Sequence, residues 1–267
     1  MFVSCFKNTN NQINLCSFGY YKSTSFLRYF IELSYRGKNY HGWQIQPDAN
    51  SIQEELNKAI STVLQEEISI VGAGRTDTGV HAEQMFAHFD TEKNLDEKYV
   101  YKFNSLLPED IVVHSLDKVE NEKHARFDAL TRSYEYRIWM GQNPFLLDTT
   151  WQLFHQKLDV EAMNEAAGIL LEYENFQAFS KVQTEVKTFN CDVTKAVWVQ
   201  NGNLLTFHIT ANRFLRNMVR AIVGTLVDVG KHKITKEDFR AIILSKNRSN
   251  AGLSVPAKGL FLTEIRY

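Results

Sequence analysis

The chain has 267 residues, 44% of them hydrophobic and 23% charged, with a formal net charge of −1, an ordinary globular composition with length for one large domain or two small ones. Near-neutral charge excludes a globally basic nucleic-acid binder, so any RNA surface must be a local patch balanced by acidic residues elsewhere. Cys5, Cys16 and Cys191 are odd in number and widely spaced, and the eight histidines show no metal-ligand spacing. This excludes a disulfide framework and a zinc motif, and it points to a reducing compartment, the cytoplasm.

Residues 1 to 26 lack any acidic residue, are rich in Asn and Ser, and have no apolar core of a secretory signal; they are expected to be a disordered extension. No stretch is long enough to span a membrane. From Leu27 the pattern predicts strand 27–34, helix 51–66, strands 68–73 and 85–90, helix 95–106 and strand 111–119, in the order βαββαβ. The helix over 51–66 is the clearest, with Ser51 and Glu54 as a capping box and Ile52, Leu56, Ala59, Ile60, Val63 and Leu64 on one face. The order then repeats as strand 132–140, helix 159–171, strands 191–200 and 203–211, helix 212–229, an extra helix 235–245 and strand 259–266. Asn201-Gly202 marks a hairpin between its middle strands.

This repetition predicts an α+β protein of two ferredoxin-like lobes, 27–125 and 126–267, each with helices on one face of a mainly antiparallel sheet. Their sheet faces or edges would meet at a central active-site cleft, with one continuous sheet as an alternative.

Between the middle strands of the first lobe lies VGAGRTDTGVHAEQ, residues 71–84. β-branched residues lead into Gly72, Gly74 and Gly79, so the chain leaves a strand for a loop needing conformational freedom or close approach. The loop carries one carboxylate, Asp77, with Arg75 two residues earlier and placed to hold it ionised. An ionised Asp serves as nucleophile or base. A plain glycine-rich turn is the simplest reading. Asp77-Thr78-Gly79 also spells the aspartic-protease triplet, but that chemistry needs a second carboxylate, which only a homodimer would supply here.

In the strand 132–140 strict alternation puts Tyr134, Tyr136, Ile138 and Met140 on one face, which reads as core. In the helix 212–229, Phe214, Leu215, Met218, Val219, Ile222 and Leu226 form the apolar side, while Arg213, Arg216 and Arg220 form a basic stripe opposite. A solvated basic face and an RNA contact both fit that stripe.

The string GRTDTGVHA, residues 74–82, closely resembles the catalytic loop of the tRNA pseudouridine synthase A family, in which the Asp is essential. YRGKNYHGWQ (35–44) resembles that family's first motif, with Arg36 departing from the acidic residue common there. RSYEY (132–136) resembles the second motif and ANRFLRNMVRAIVGTL (211–226) the third. HARF, comprising His124, Ala125, Arg126 and Phe127, matches a segment that touches tRNA in the family. Thr78 departs from the Ala that many members carry after the Asp. The resemblance runs from about Leu27 to Tyr267.

It implies isomerisation of uridine to pseudouridine at positions 38, 39 and 40 of the tRNA anticodon stem-loop, without metal or cofactor, by a homodimer. It assigns catalysis to Asp77, base stacking to Tyr134 and pairing with the carboxylate to Arg220. Arg75, His124, Ala125, Arg126, Phe127, Arg213 and Arg216 would contact the RNA. Packing into the core is the simpler account of Trp43 and an alternative for Phe127. A tRNA-binding module with a structural Asp and a dimeric aspartic protease are the competing classes.

Overall fold

The computed structural model describes residues 26–181 and 187–267. Apart from Phe26, the expected N-terminal extension lies outside the described residues. The elements in chain order are β1 (Leu27–Tyr35), α1 (Ile52–Leu64), β2 (Val71–Gly72), β3 (His81–Thr91), α2 (Lys98–Asn104) and β4 (Ile111–Val119). They continue with β5 (Thr131–Met140), β6 (Trp151–Leu153), α3 (Val160–Gly168), β7 (Val193–Asn201), β8 (Leu204–Ala211), α4 (Met218–Gly230), α5 (Lys236–Ser245) and β9 (Leu260–Arg266).

Alternation and capping account for most of these. In β1, Tyr29, Ile31, Leu33 and Tyr35 point inward and are buried. In α1, Ser51 Oγ accepts from Glu54 N at 3.3 Å, and Ile52, Leu56, Ala59, Ile60 and Leu64 lie in the core; burying each larger aliphatic chain is worth roughly 1.5–3 kcal/mol. The helix ends at Gln65, whose φ of 53° leaves the right-handed region.

All strands belong to one sheet, ordered β4-β1-β3-β9-β5-β8-β7, with β2 on β3 and β6 on β5. The pairings along the main path are antiparallel except β3 with β9, which are parallel through His81–Phe261 and Ala82–Leu262. The two halves thus meet by sheet edges, not faces. Two apolar cores flank this junction. One gathers Tyr29 to Ala129 together with Leu262 and Ile265; the other is built mainly from residues after Tyr136, and Tyr134 packs partly against both.

Several expected elements differ. The strand expected over 68–73 shrinks to Val71–Gly72, because α1 side chains take the backbone groups a strand neighbour would use. Ile68 N donates to Ser61 Oγ, Ile70 N to Asn57 Oδ1, and Gln53 Nε2 to Ile70 O. The next strand is longer than 85–90, beginning at His81 because β9 pairs there. The helix expected over 95–106 keeps only Lys98–Asn104, and that over 159–171 ends at Gly168, continuing as a 3₁₀ turn, Ile169–Glu172. The hairpin loop is Gly202-Asn203, one residue later than expected, with Asn201 paired to Leu204.

The largest difference concerns residues 212–229. The helix begins only at Met218, so Arg213 and Arg216 lie on a loop and the expected three-arginine stripe does not exist. Asn217 breaks the helical run with φ 66°, and its amide donates to Ser254 Oγ at 2.5 Å. A tertiary contact here overrides an apolar pattern compatible with a longer helix.

Candidate active site

One edge of β3 is shared: β2 pairs with its far end and β9 with its start. The loop 73–80 emerges where the two partners part. Residues 35–43 hold it from beneath. Tyr35 Oη and Thr76 Oγ1, both buried, are 2.8 Å apart, Trp43 N donates to Thr76 O at 3.2 Å, and Gly79 N donates to Tyr40 O at 3.3 Å. Gly42 has φ +95°, and a Cβ there would stand 2.4 Å from Thr76 O, so this position requires glycine. Trp43 is in the core against Gly72, as packing alone predicts. The first motif therefore shapes the loop that carries Asp77.

Within the loop, Val80 N closes a turn onto Asp77 O at 3.1 Å, with Gly79 at φ +78°. The Asp77 side chain, 30% exposed, faces two guanidinium groups. Arg220 Nη1 is 3.7 Å from Oδ2, and Arg216 Nε is 3.9 Å from Oδ1. Arg220 is 21% exposed and held by its Nε, which donates to Val255 O at 2.8 Å, whereas Arg216 is 59% exposed. Arg75, near enough in sequence to hold Asp77 ionised, lies exposed on the loop; among the described residues the ion pairs of Asp77 come from Arg220, the partner that the resemblance names, and from Arg216. Neither group is a carboxylate, and the five α-helices among the described residues do not fit the mainly β fold that the aspartic-protease reading requires.

Tyr134 lies on β5 where the pairing with β9 shifts register, the extra residue, Thr263, being on β9. Phe214, from the loop before α4, meets its ring edge-on at 5.1 Å between centroids. Burial pushes the Tyr134 phenol up to about 12, and the nearby negative charge of Asp77 acts in the same direction. It is therefore a neutral ring with a hydroxyl to donate. Tyr136, on the same face, is fully buried and donates to Pro256 O at 2.8 Å, which makes it a core residue bracing the segment that holds Arg220.

The 124–127 segment is a tight turn in which His124 Nδ1 accepts from Arg126 N and Phe127 N. Ala125 is buried and its N donates to His88 Nδ1 at 3.2 Å. Phe127 is 75% exposed, so core packing does not account for it. Arg126 and Arg213 both lie near enough to Arg132 to lower its proton affinity, behind the larger effect of burial. Cationic side chains thus ring Asp77 and Tyr134 although the whole chain is slightly acidic.

Sequence reasoning missed the supporting roles of Tyr35, Thr76 and Arg132. Arg132 sat in a quoted motif, but its carbonyl partners come from distant segments. No group of three or more His, Cys, Asp or Glu side chains placed to hold a metal ion occurs among the described residues, and no helix there is long and apolar enough to cross a membrane.

Residues 33–128 and 170–267 match the family model described as tRNA pseudouridine synthase. The chain is 48% identical over 242 residues to the tRNA pseudouridine synthase A of Parabacteroides distasonis, covering 90% of this chain and 96% of that protein. It is 50% identical over 243 residues to that of Bacteroides fragilis, covering 90% and 96%. To that of Bacillus licheniformis it is 39% identical over 246 residues, covering 90% and 99%. With the matched segments carrying the Asp77 loop and the two guanidinium groups that face it, the chain belongs to the tRNA pseudouridine synthase family.

Proposed function

We propose that this chain isomerises uridine to pseudouridine at positions 38, 39 and 40 of the tRNA anticodon stem-loop, with Asp77 as its catalytic carboxylate. Membership of the family makes it an enzyme that converts uridine to pseudouridine in tRNA. The observation that carries the residue assignment is the carboxylate of Asp77 facing Arg220 and Arg216 beside a neutral, half-buried tyrosine.

The reaction breaks the bond from the anomeric sugar carbon to N1, forms one to carbon 5, and exchanges the proton on carbon 5 for one on N1. Atoms and electrons balance within the nucleotide, so one ionised carboxylate and groups that hold the base suffice. Asp77 acts at carbon 6, at the anomeric carbon or on a sugar proton. Tyr134 stacks on the base and offers its hydroxyl to the departing proton, and Arg220 stabilises the charged carboxylate. A base within a stem must first be extruded, at a cost of a few kcal/mol. Arg75 on the exposed loop, the segment His124, Ala125, Arg126 and Phe127, and Arg213 and Arg216 supply the offsetting RNA contacts. Because these contacts are largely ionic, affinity for tRNA falls steeply with salt.

The two apolar cores and the repeated strand arrangement, β4-β1-β3 with β2 and β9-β5-β8-β7, support two ferredoxin-like lobes, residues 27–125 and 126–267, with the site at their junction. The working form is a cytoplasmic homodimer whose two copies share one tRNA.

Tritium release from carbon-5-labelled uridine in unmodified tRNA tests the assignment. Release by wild type but not by Asp77→Ala is expected. tRNA bound without release by either protein would establish a binding module in which Asp77 is structural.

A further inference from the structure

Arg132, on β5, has a half-buried guanidinium whose recorded partners are all backbone carbonyls. Nη1 donates to Ala129 O at 2.8 Å and to Asn212 O at 2.9 Å; Nη2 donates to Ala73 O at 3.0 Å and to Arg126 O at 2.7 Å. All four hydrogens of the fork are used. Burial lowers the proton affinity of the group, but an arginine keeps its charge, so the desolvation must be offset by these carbonyls.

Where the carbonyls lie decides the meaning. Ala73 directly follows β2 and opens the loop carrying Asp77. Arg126 belongs to the 124–127 turn, and Ala129 leads from it into β5. Asn212 directly follows β8 and opens the loop that delivers Phe214, Arg216 and, at the start of α4, Arg220. Tyr134 is two residues along β5, on the same strand face as Arg132. Three chain segments that carry the parts of the site, remote in sequence, are joined at one planar group.

We propose that Arg132 is a positioning residue for the proposed reaction, clamping the Asp77 loop, the 124–127 turn and the Arg216–Arg220 segment in one relative placement. It need not touch the reacting atoms. A lysine keeps the charge, but its single nitrogen cannot span four carbonyls around a planar fork. Misplacing reacting groups by about 1 Å is enough to cost on the order of a hundredfold in rate. The inference rests on the functional reading given above.

The test compares wild type, Asp77→Ala, Arg132→Lys and Arg132→Gln in single-turnover tritium release, with tRNA affinity by filter binding and thermal unfolding by circular dichroism. Both Arg132 variants are expected to fold, to lose at least about thirtyfold in the single-turnover rate, and to lose at least about fivefold less in tRNA affinity than in rate. A wild-type rate in Arg132→Lys overturns the inference. So does a loss of rate matched by an equal loss of tRNA affinity, which makes Arg132 an RNA contact, or failure of both variants to fold, which makes it a sheet stabiliser. No release by the wild-type protein sinks the functional reading and this inference together, whereas release undiminished in Arg132→Lys sinks the inference alone.

Discussion

Arg220 Nη1 stands 3.7 Å from Asp77 Oδ2 while its own Nε is tied to Val255 O at 2.8 Å. The cation facing the carboxylate is thus fixed by a segment that packs tightly on α4: Gly252 N donates to Thr225 Oγ1, and Gly224 leaves no space for a Cβ beside Leu253 O. Arg216 reaches the same carboxylate from a more exposed position. Shielded charge interactions are stronger than solvated ones. Arg220→Ala is therefore expected to lower the single-turnover rate by about a hundredfold or more, and Arg216→Ala by less than about tenfold. Equal effects of the two substitutions, measured on one labelled tRNA, would contradict the assignment.

Asp77→Asn preserves shape and removes charge. Loss of an essential reacting group costs several orders of magnitude, so turnover should fall at least about a thousandfold with tRNA affinity retained. Parallel loss of binding, read by filter retention, makes Asp77 structural.

The loop geometry predicts different costs at two glycines with positive φ. Gly42→Ala must adopt φ +95° and place its Cβ 2.4 Å from Thr76 O, whereas Gly202→Ala adopts φ +56° in open space. The second change should cost about 1 kcal/mol. The first should cost more than about 2 kcal/mol and also reduce turnover, because the displaced atoms belong to the loop of Asp77. Urea unfolding of both variants gives the comparison, and similar stabilities would refute it.

Tyr35→Phe deletes the hydroxyl that meets Thr76 Oγ1 in the interior. A buried hydroxyl left without its partner costs about 1–3 kcal/mol. The expected result is that loss of stability with a fall of a few fold in rate; an unchanged urea midpoint would show that Thr76 finds another partner.

Acid should loosen the 124–127 turn. Burial, aided by the positive charge of Arg28, holds the His88 imidazole near 4, below its ordinary value of about 6.5. Between those values the unfolded chain binds more protons than the folded one, so stability rises with pH through this window. It is fully present above about 6.5 and lost as pH falls toward about 4, on the order of 1–3 kcal/mol. Protonation at Nδ1 would also remove the acceptor for Ala125 N. His88→Gln should flatten this part of the stability profile; an unchanged slope between pH 6.5 and 4 rules out His88 as its source.

The sequence by itself determined which segments become strands and helices wherever local pattern and capping agreed, as in β1, α1 and β5. It also showed Asp77 on a loop between two strands, since glycines and alternation are local signals. The tertiary structure decided what local pattern cannot encode. Residues 212–217 leave the helix because Asn217 is held by Ser254, and residues 68–70 leave the strand because α1 side chains take their backbone groups. Local spacing offered Arg75 as a partner for Asp77 and only the resemblance named Arg220; in the fold Arg220 and Arg216 reach the carboxylate from across the sheet junction. Charge pairing depends on where side chains end in space, and that depends on contacts between residues far apart in the chain.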